Sequence, residues 1–224
     1  MRTARPTPIS SRIVAGICLV LLAPLGLLLW IVVRLDSPGP FLFKQRRIGW
    51  QGREFTIWKI RTMTVGSERV TALGTRGNSP YVTRVGRVLR KLKLDEFPQL
   101  WNVVRGEMGF VGPRPIPVPL YHEMAARIPE FHLRNDVPPG LTNLSQISLA
   151  DNKLGDELEA DWRLRLEGEL HYIAHKNIWY DVTVLAMTVL FMARRVLRSG
   201  RSSSQGAQQP GGAGTRPASE AGGA

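Results

Sequence analysis

The chain has 224 residues, enough for one domain with a hydrophobic core and hardly enough for two, and its formal charge of +12 requires an anionic partner: nucleic acid, anionic lipid or a phosphorylated substrate. Its single cysteine, Cys18, excludes an intramolecular disulfide framework and a cysteine-based zinc cluster. The absence of GxxxxGKS/T and GxGxxG motifs argues against nucleotide hydrolases and dinucleotide-dependent oxidoreductases.

The first predicted element is an apolar helix. Residues 1–12 form a basic arm, and from Ile13 to Val33 the chain has no charged residue. A straight helix over this segment is about 31 Å long, which is enough to span the hydrocarbon core of a bilayer. Its length and the charged Arg34 that follows it argue against a cleaved signal peptide. We therefore expect the segment to lie in lipid.

Pro24 lies at the centre of this segment and predicts a break in the helix. Each of the two arms would then cross only about half of a ~30 Å hydrocarbon core. Basic residues flank both ends of the segment, so the positive-inside bias favours a cytoplasmic position for both. Spanning helices also tolerate proline. We predict a re-entrant helix that enters and leaves one leaflet, within a membrane unit of residues 1–36.

A β-hairpin is predicted next. Ser37–Pro40 forms a rigid turn that ends the membrane helix. The segments Phe41–Ile48 and Arg53–Ile60 then alternate apolar and polar residues on either side of a glycine-containing turn. The hairpin and its end also carry six cations: Lys44, Arg46, Arg47, Arg53, Lys59 and Arg61. For most of these cations we favour a solvated strand face beside anionic headgroups.

Lys91–Pro115 carries the most informative pattern. A helix capped by Thr83 is predicted to run through Leu92, and two adjacent carboxylates, Asp95 and Glu96, follow its basic residues. Carboxylates among cations indicate metal-assisted chemistry on phosphate. By propensity alone, Asp95 is also a good N-cap for a helix that begins at this point. The two interpretations are compatible, because a helix N-terminus surrounded by arginine attracts phosphate.

Two arginines near the carboxylates are candidates for phosphate binding. Arg114 lies between two prolines in Met108–Pro119, a segment whose repeated prolines predict an extended chain. A fixed backbone suits bidentate phosphate binding, and the alternative role of this arginine is a structural salt bridge. Arg90 lies five residues before Asp95, and its alternative role is an exposed helix charge.

The C-terminal half predicts further helices. Tyr121–Phe131 and Asp156–Lys176 are predicted helices, the second with an apolar stripe typical of a core helix. Val182–Ala193 is too short to span a bilayer and precedes several arginines, which favours an interfacial helix. Residues 199–224 have the composition of a disordered tail. We predict a mainly helical α+β monotopic membrane protein with a cytosolic-face catalytic domain over residues 37–198.

The pattern resembles a known family. The segment Thr83–Pro115 is similar to the signature of the bacterial sugar transferases, in particular of the small monotopic phosphoglycosyl transferases. Its sequence is TRVGRVLRKLKLDEFPQLWNVVRGEMGFVGPRP. Further matches are Ser37–Met63, SPGPFLFKQRRIGWQGREFTIWKIRTM, and a looser one over Tyr172–Thr188. The resemblance extends over residues 13–190 and implies an enzyme that loads a phosphosugar onto a polyprenyl phosphate.

The resemblance also implies roles for particular residues in a two-step reaction. Asp95 would attack the β-phosphate of a nucleotide-diphosphate sugar, expected to be UDP-linked, and polyprenyl phosphate would then take the phosphosugar from it. Glu96 would be the protein ligand of Mg²⁺, and Lys59, Arg90 and Arg114 would hold the substrate phosphates. The product would initiate exopolysaccharide, O-antigen, capsule or glycoconjugate synthesis at the cytoplasmic face of the bacterial inner membrane.

The chain departs from the family pattern after Thr142. Relatives typically continue as PGxTGxxQVxGR, whereas this chain has PGLTNLSQISLADN, with Asn143 in place of glycine and no arginine after Ile147. In relatives that arginine is associated with donor binding. Either Arg163 or Arg165 substitutes for it, or the donor differs.

An alternative function is a non-catalytic, membrane-anchored scaffold that binds anionic lipid through its arginines. Such a scaffold would not depend on whether residue 95 is Asp or Asn, whereas the enzyme would. Nucleic-acid binding is not expected, because aromatic residues such as Trp50, Trp58 and Trp101 lie in apolar patterns rather than between cations.

Overall fold

The computed structural model describes residues 7–67, 79–143 and 156–205. Its α-helices are α1 (Ile9–Asp36), α2 (Arg84–Leu92), α3 (Leu100–Val104), α4 (Val118–Arg127), α5 (Asp156–His175) and α6 (Ile178–Gln205). Its strands are β1 (Leu42–Ile48), β2 (Glu54–Ile60), β3 (Gly109–Val111), β4 (Ile116–Pro117) and β5 (Gly140–Thr142). Short 3-10 helices cover Trp50–Gly52, Leu94–Gln99 and Pro129–Asp136. The protein is therefore mainly helical α+β with small sheets, as predicted.

Helix α1 is long and apolar enough to cross a membrane, by length and composition. Its 28 residues extend about 42 Å. The helix continues through Pro24, so the two arms expected from the sequence form one element. Proline removes one backbone N–H and can bend a helix without ending it, because the bonds of the neighbouring turns persist. Its buried residues are Ala15, Leu29 and Val33, and most of its other large apolar side chains are exposed.

The predicted β-hairpin is confirmed. Strands β1 and β2 pair antiparallel, from Leu42 opposite Ile60 to Ile48 opposite Glu54. Because directly opposed residues share a face and side chains alternate along each strand, the odd-numbered residues of both strands lie on one face. The short strand β4 pairs with the other edge of β1. The hairpin thus becomes a three-stranded sheet with β1 at its centre.

A second sheet joins segments that are distant in sequence. Strands β3 and β5 run parallel, with Gly109 opposite Gly140 and Val111 opposite Thr142. A Cβ atom on Gly140 would lie only 2.1 Å from the backbone nitrogen of Gly112. The close approach of the two chains therefore requires glycine at this position. The pairing places the proline-rich turn after β3 directly beside the turn that precedes β5.

Helix α4 differs from its predicted bounds at both ends. It begins at Val118, before the predicted start at Tyr121, because Pro119 is tolerated in the first turn of a helix. It ends at Arg127, since Pro129 interrupts the regular hydrogen bonding, and a 3-10 helix follows. The extended proline-rich segment accordingly ends at Pro117, the residue directly before α4.

Apolar clusters join the membrane helix to the rest of the chain. Ala15 of α1 packs with Ile57 of β2 and Val103 of α3. Nearer its C-terminal end, Val33 packs in a cluster with Leu89 of α2. Each cluster includes residues that are almost completely buried. One side of α1 is therefore part of the protein core.

Helix α5 is the core helix that its apolar stripe predicted. Trp162 and Leu166 are buried in a cluster with Met124 of α4 and Phe131 of the following 3-10 helix. The rings of Phe131 and Trp162 meet edge to face, with centroids 5.9 Å apart. This cluster holds α5 against the segment that carries β4 and α4.

Helix α6 extends well beyond the predicted interfacial segment of residues 182–193. Its large exposed apolar side chains are Ile178, Trp179, Val182, Met187, Val189, Leu190 and Phe191. Such an exposed apolar surface is typical of a membrane or partner contact. The helix continues to Gln205, past the predicted domain end at residue 198. The rest of the predicted tail, residues 206–224, lies outside the described residues, as do residues 1–6.

Candidate active site

The two adjacent carboxylates lie in a tight turn of the chain. Helix α2 ends at Leu92, and Lys93 has a left-handed backbone with a φ of 57°. The 3-10 helix Leu94–Gln99 follows, with Asp95 and Glu96 buried inside it at 7% and 8% exposure. Neither carboxylate makes a capping hydrogen bond, so the interpretation of Asp95 as a helix N-cap is wrong. The N-cap position of this 3-10 helix is Lys93, so the helical geometry starts two positions too early for Asp95 to cap it.

Glu96 is held by two cations from distant segments. Its Oε1 accepts hydrogen bonds from Nζ of Lys59 at 2.8 Å and from Nη2 of Arg114 at 3.1 Å. Lys59 comes from β2 and Arg114 from the proline-rich turn, so the fold brings together three of the predicted site residues. Burial by itself would raise the pKa of Glu96, but the charges of Lys59 and Arg114 outweigh it and hold the pKa well below its usual range. Glu96 is therefore ionised at neutral pH.

Asp95 has the opposite environment. Its Oδ1 is buried and has no hydrogen-bond partner among the residues that the structure describes. Burial raises the pKa of Asp95, and this effect exceeds the opposing influence of Lys59. Nearly all buried polar atoms in proteins are satisfied, and the exceptions commonly have a catalytic or ligand-binding role. The arrangement thus leaves one carboxylate oxygen unpaired within the described residues, as is typical of a reactive or ligand-binding group.

Arg90 lies near Asp95 but contacts neither carboxylate. Its Nε donates a hydrogen bond to Oγ1 of Thr62 at 2.8 Å. Burial lowers the pKa of Arg90, and Asp95 is the charge that opposes this effect. The side chain is half-buried and oriented by Thr62, which differs from the alternative of an exposed helix charge. Its contact with phosphate stays a prediction.

The backbone of Arg114 is held by an ion pair that the sequence did not reveal. Arg134 and Glu169 are 2% and 3% exposed and make two hydrogen bonds of 2.9 Å to each other. Glu169 also accepts a hydrogen bond from the backbone N–H of Arg114 at 3.2 Å. Arg134 donates a hydrogen bond to the carbonyl oxygen of Arg114 at 2.8 Å. The pair therefore fixes both backbone polar groups of the residue whose side chain binds Glu96.

Arg47 is a further cation at the site and an exception to the solvated strand face predicted for most cations of the hairpin. Its Nη1 donates a hydrogen bond to the carbonyl oxygen of Pro115 at 2.7 Å. Together with Lys59 and Arg114 it lines a cavity of about 10 Å³, which is about the smallest cavity that can hold one water. Burial, and then the charge of Arg114, lowers the pKa of Arg47. Strand alternation could have identified it, since Arg47 and Lys59 share the odd-numbered face of the hairpin.

The two candidate substitutes for the family's donor arginine lie on α5. Arg163 is exposed and donates to Glu159 one turn away, at 2.9 Å. Arg165 is buried and donates to Asp161 at 2.7 Å. Asn143 is buried just after β5, and the remainder of the divergent segment lies outside the described residues. Both guanidinium groups thus have an ion pair within their own helix, and the choice between substitution and a different donor stays open.

Comparison with known proteins finds both individual relatives and a matching family model. The chain is 39% identical over 177 residues to a UDP-glucose:undecaprenyl-phosphate glucose-1-phosphate transferase of Caulobacter vibrioides, which covers 79% of this chain and 66% of that protein. It is 35% identical over 191 residues to a UDP-N-acetylgalactosamine-undecaprenyl-phosphate N-acetylgalactosaminephosphotransferase of Aeromonas hydrophila, covering 82% of this chain and 44% of that protein. The chain therefore spans less than half the length of the Aeromonas relative.

A third relative is closer to this chain in length. An exopolysaccharide production protein of Rhizobium leguminosarum is 35% identical over 179 residues, which cover 77% of this chain and 87% of that protein. The family model described as bacterial sugar transferase matches residues 7–195, which include both carboxylates and all the cations described above. Since this match extends over most of the chain, the protein belongs to the bacterial sugar transferase family.

Proposed function

We propose that this protein transfers a sugar 1-phosphate from a UDP-linked sugar to a polyprenyl phosphate through a covalent intermediate on Asp95. The observation that carries the proposal is the buried Oδ1 of Asp95, which has no protein partner within the described residues and lies beside the charge-paired Glu96. The names of the Caulobacter and Aeromonas relatives each combine a UDP-sugar with undecaprenyl phosphate, which supports this donor and acceptor.

The first step forms a bond between a carboxylate oxygen of Asp95 and the β-phosphorus of the donor. The bond from that phosphorus to the bridging oxygen breaks, and the nucleoside monophosphate leaves with the electron pair. In the second step, a phosphate oxygen of the polyprenyl phosphate attacks the phosphorus of the acyl phosphate. The Asp95 carboxylate leaves with the electron pair of its bond to phosphorus, and the product is a polyprenyl diphosphate sugar.

The cations around the two carboxylates leave an excess of positive charge for the diphosphate. Lys59 and Arg114 bind Glu96, Arg47 lies beside them, and Arg90 lies on the side of Asp95. Preorganised cations of this kind stabilise the negative charge that develops during phosphoryl transfer. We assign Lys59, Arg90 and Arg114 to the substrate phosphates, as the family resemblance implied.

The carboxylate pair is suited to Mg²⁺. Both ion pairs of Glu96 are made through Oε1, which leaves Oε2 for another ligand, and Oδ1 of Asp95 is without a protein partner within the described residues. Mg²⁺ is commonly held by one or two carboxylates together with substrate oxygens and water. Glu96 would therefore hold the ion, which when bound supplies charge neutralisation to the diphosphate and its leaving group.

The contacts of α1 support a re-entrant membrane helix with the catalytic domain on the cytoplasmic face of the inner membrane. Near its N-terminal end, Nε of Arg12 donates to the carbonyl oxygen of Val104 at 2.8 Å. At its C-terminal end, Asp36 accepts a hydrogen bond from the backbone N–H of Val85 at 3.1 Å. Because both ends bind the same domain, they belong on the same side of the bilayer. The flanking basic residues favour the cytoplasmic side.

Release of nucleoside monophosphate tests the proposal. The full chain, in detergent with Mg²⁺ and undecaprenyl phosphate, is offered a panel of UDP-sugars, and wild type is compared with Asp95→Asn. Wild type should release UMP from at least one donor, and the variant should lose at least ~10⁴-fold in rate because it lacks the nucleophile. Mass spectrometry of wild type with donor alone should detect a phosphosugar adduct on Asp95.

Asp181→Asn is the matched control. Burial raises the pKa of Asp181 as it does that of Asp95, but Asp181 accepts a hydrogen bond from Tyr172 at 2.8 Å and lies outside the carboxylate turn. This variant should retain UMP release. If wild type releases no UMP from any donor, or if Asp95→Asn releases it as fast as wild type, the covalent mechanism is wrong and a lipid-binding scaffold becomes the better account.

A further inference from the structure

A second, larger cavity lies between α6 and the turn that carries the carboxylates. Its volume is about 260 Å³. Most of its surface is apolar, and its main apolar lining residues are Phe97, Leu100, Phe110, Leu141, Leu185 and Phe191. The volume is slightly below the ~300–1,000 Å³ of typical pockets for drug-sized ligands, so the cavity can hold only part of a long chain.

One end of the cavity reaches the candidate active site. Glu96, the neighbour of Asp95, lines it together with Lys91 and Lys93. Two lysines at the border of an apolar cavity match a ligand that carries an anionic group on a hydrocarbon chain. The charge of the cavity therefore lies at the end nearest the reacting carboxylate.

The other end is continuous with the exposed apolar surface of α6. Phe191 lines the cavity and is also 40% exposed, and its neighbour Leu190 is exposed as well. A hydrocarbon chain that leaves the cavity past Phe191 would therefore meet the apolar surface that Leu190 contributes. This geometry suits a chain whose remainder lies in lipid.

The hydroxyl groups in the cavity do not suit a sugar or a nucleobase. Thr188 donates its hydroxyl proton to the carbonyl oxygen of Val184 at 2.7 Å, and its oxygen lies 2.8 Å from Oγ1 of Thr142. Since the Thr188 proton is used, Thr142 is the donor in the second bond. Both hydroxyl protons are thus engaged within the protein. A sugar or nucleobase in the apolar part of the cavity would therefore lose bonds to water without replacing them.

We propose that this cavity binds the first isoprene units of the polyprenyl phosphate acceptor, with the phosphate at Lys91 and Lys93 and the rest of the chain leaving past Phe191 into lipid. The inference rests on the proposed function for the identity of the acceptor. It assigns to α6 a role in substrate binding, and it places the acceptor phosphate beside the turn that holds Asp95.

Photocrosslinking tests the site without requiring turnover. The probe is a polyprenyl phosphate with a diazirine on its first isoprene units, added to the full chain in nanodiscs and mapped by mass spectrometry. We expect labelling between Leu185 and Met192, competed by undecaprenyl phosphate more strongly than by undecaprenol or phosphatidic acid. Labelling confined to α1, or equal competition by phosphatidic acid, would overturn the proposal.

Two leucines of α6 provide matched variants. Leu185→Trp fills the cavity, whereas Leu190→Trp makes the same change on an exposed face of the same helix. Labelling should fall about tenfold in the first variant and remain in the second. If a thermal unfolding measurement shows that the Leu185→Trp variant is not folded, the Met192→Trp variant, which alters a second cavity position, is used in its place. Equal labelling in folded cavity and control variants would contradict the site.

The outcomes separate the two proposals. If wild type is labelled in the cavity but releases no UMP from any donor, the proposed function fails and the lipid-phosphate site holds. If wild type releases UMP and the cavity variants are labelled as strongly as wild type, the transferase proposal holds and the acceptor chain binds elsewhere.

Discussion

Asp95 and Glu96 are neighbours with the same functional group, but the fold gives them opposite environments. Lys59 and Arg114 neutralise Glu96, whereas Oδ1 of Asp95 has no partner among the described residues. Pairs of titratable groups whose pKa values are driven apart commonly divide chemical roles. In this site the division would leave Glu96 to organise charge and Asp95 to form the bond to phosphorus.

The raised pKa of Asp95 predicts that Asp95→Asn stabilises the protein. When the pKa of a group is raised in the folded state, the folded protein becomes less stable as the pH rises through that pKa. Wild type therefore carries the cost of a buried charge at pH 7, and the variant does not. We expect a gain of about 1 kcal/mol in the free energy of unfolding, or roughly 2–4 °C in Tm by scanning fluorimetry. The difference should shrink as the pH falls through the raised folded pKa, and it should be lost below about pH 4, where the carboxyl group is protonated in the unfolded chain as well.

Glu96→Gln is the control for this prediction, with the opposite sign. The depressed pKa of Glu96 means that its contribution is present above its unfolded pKa of about 4.3 and is lost only as the pH falls through the lower folded value. The variant leaves Lys59 and Arg114 without their counter-charge and should lose about 3 kcal/mol at pH 7. A shift of both variants in the same direction would contradict the opposed environments.

At the scale of residues, the sequence identified side chains that stand out locally. Asp95 and Glu96 form an unusual pair among cations, and Arg114 lies between prolines, so adjacent residues were sufficient to mark them. Arg134 and Glu169 are 35 residues apart, and their pairing depends on how α5 packs, which no local pattern encodes. Long-range ion pairs of this kind are determined by tertiary structure alone.

At the scale of elements, α5 reaches the site through its buried carboxylate. Glu169 and Arg134 hold both backbone polar groups of Arg114, and Arg114 in turn binds Glu96. We describe Glu169 as a positioning residue, because it acts on the candidate site through Arg114. Helix α5 thereby connects the apolar cluster around Trp162 to the orientation of Arg114.

We predict that Glu169→Gln lowers kcat about 10- to 100-fold, because small displacements of a catalytic group cost this much. The amide oxygen can still accept the bond from Arg114, but the charge that holds Arg134 is lost. Rates are normalised to folded protein, and KM for the UDP-sugar is measured alongside kcat. A purely structural role would reduce the folded fraction and leave kcat per folded molecule unchanged.

Glu159→Gln is the matched control on the same helix. Glu159 pairs with Arg163 on the surface, and exposed pairs contribute about 0–1 kcal/mol. This variant should keep both kcat and stability close to those of wild type. Equal losses of kcat in the two variants would show that charge on α5 matters in general and would argue against the contact with Arg114.

At this same scale, periodicity predicted the elements that have enough residues to show it. The hairpin and α5 were found from alternation and from an apolar stripe. Strands β3 and β5 have three residues each and lie on separate parts of the chain, too short for a period to appear. Pro24 predicted two separate arms, whereas α1 is one continuous helical element that can bend at Pro24, since local propensity cannot include the packing of α1 against α3 and β2.

At the scale of the whole molecule, the position of α1 predicts its accessibility. In a Cys18→Ala background, cysteines at Ser10 and Ser37 flank α1, and a membrane-impermeant maleimide is applied to intact spheroplasts. If both ends lie in the cytoplasm, neither cysteine should react until the cells are lysed. Reaction of the Ser10→Cys variant in intact spheroplasts would show that α1 spans the membrane.

The packing of α1 also bears on how the protein can be handled and made. Ala15 and Val33, 0% and 2% exposed, fill space next to Val103 and Leu89, so removal of the first 36 residues would open gaps in the interior. We therefore expect that the boundary predicted from composition at residue 36 does not separate independently folding parts. Because α1 precedes its packing partners α2, α3 and β2 along the chain, a membrane that held α1 during synthesis would take part in folding as well as in anchoring.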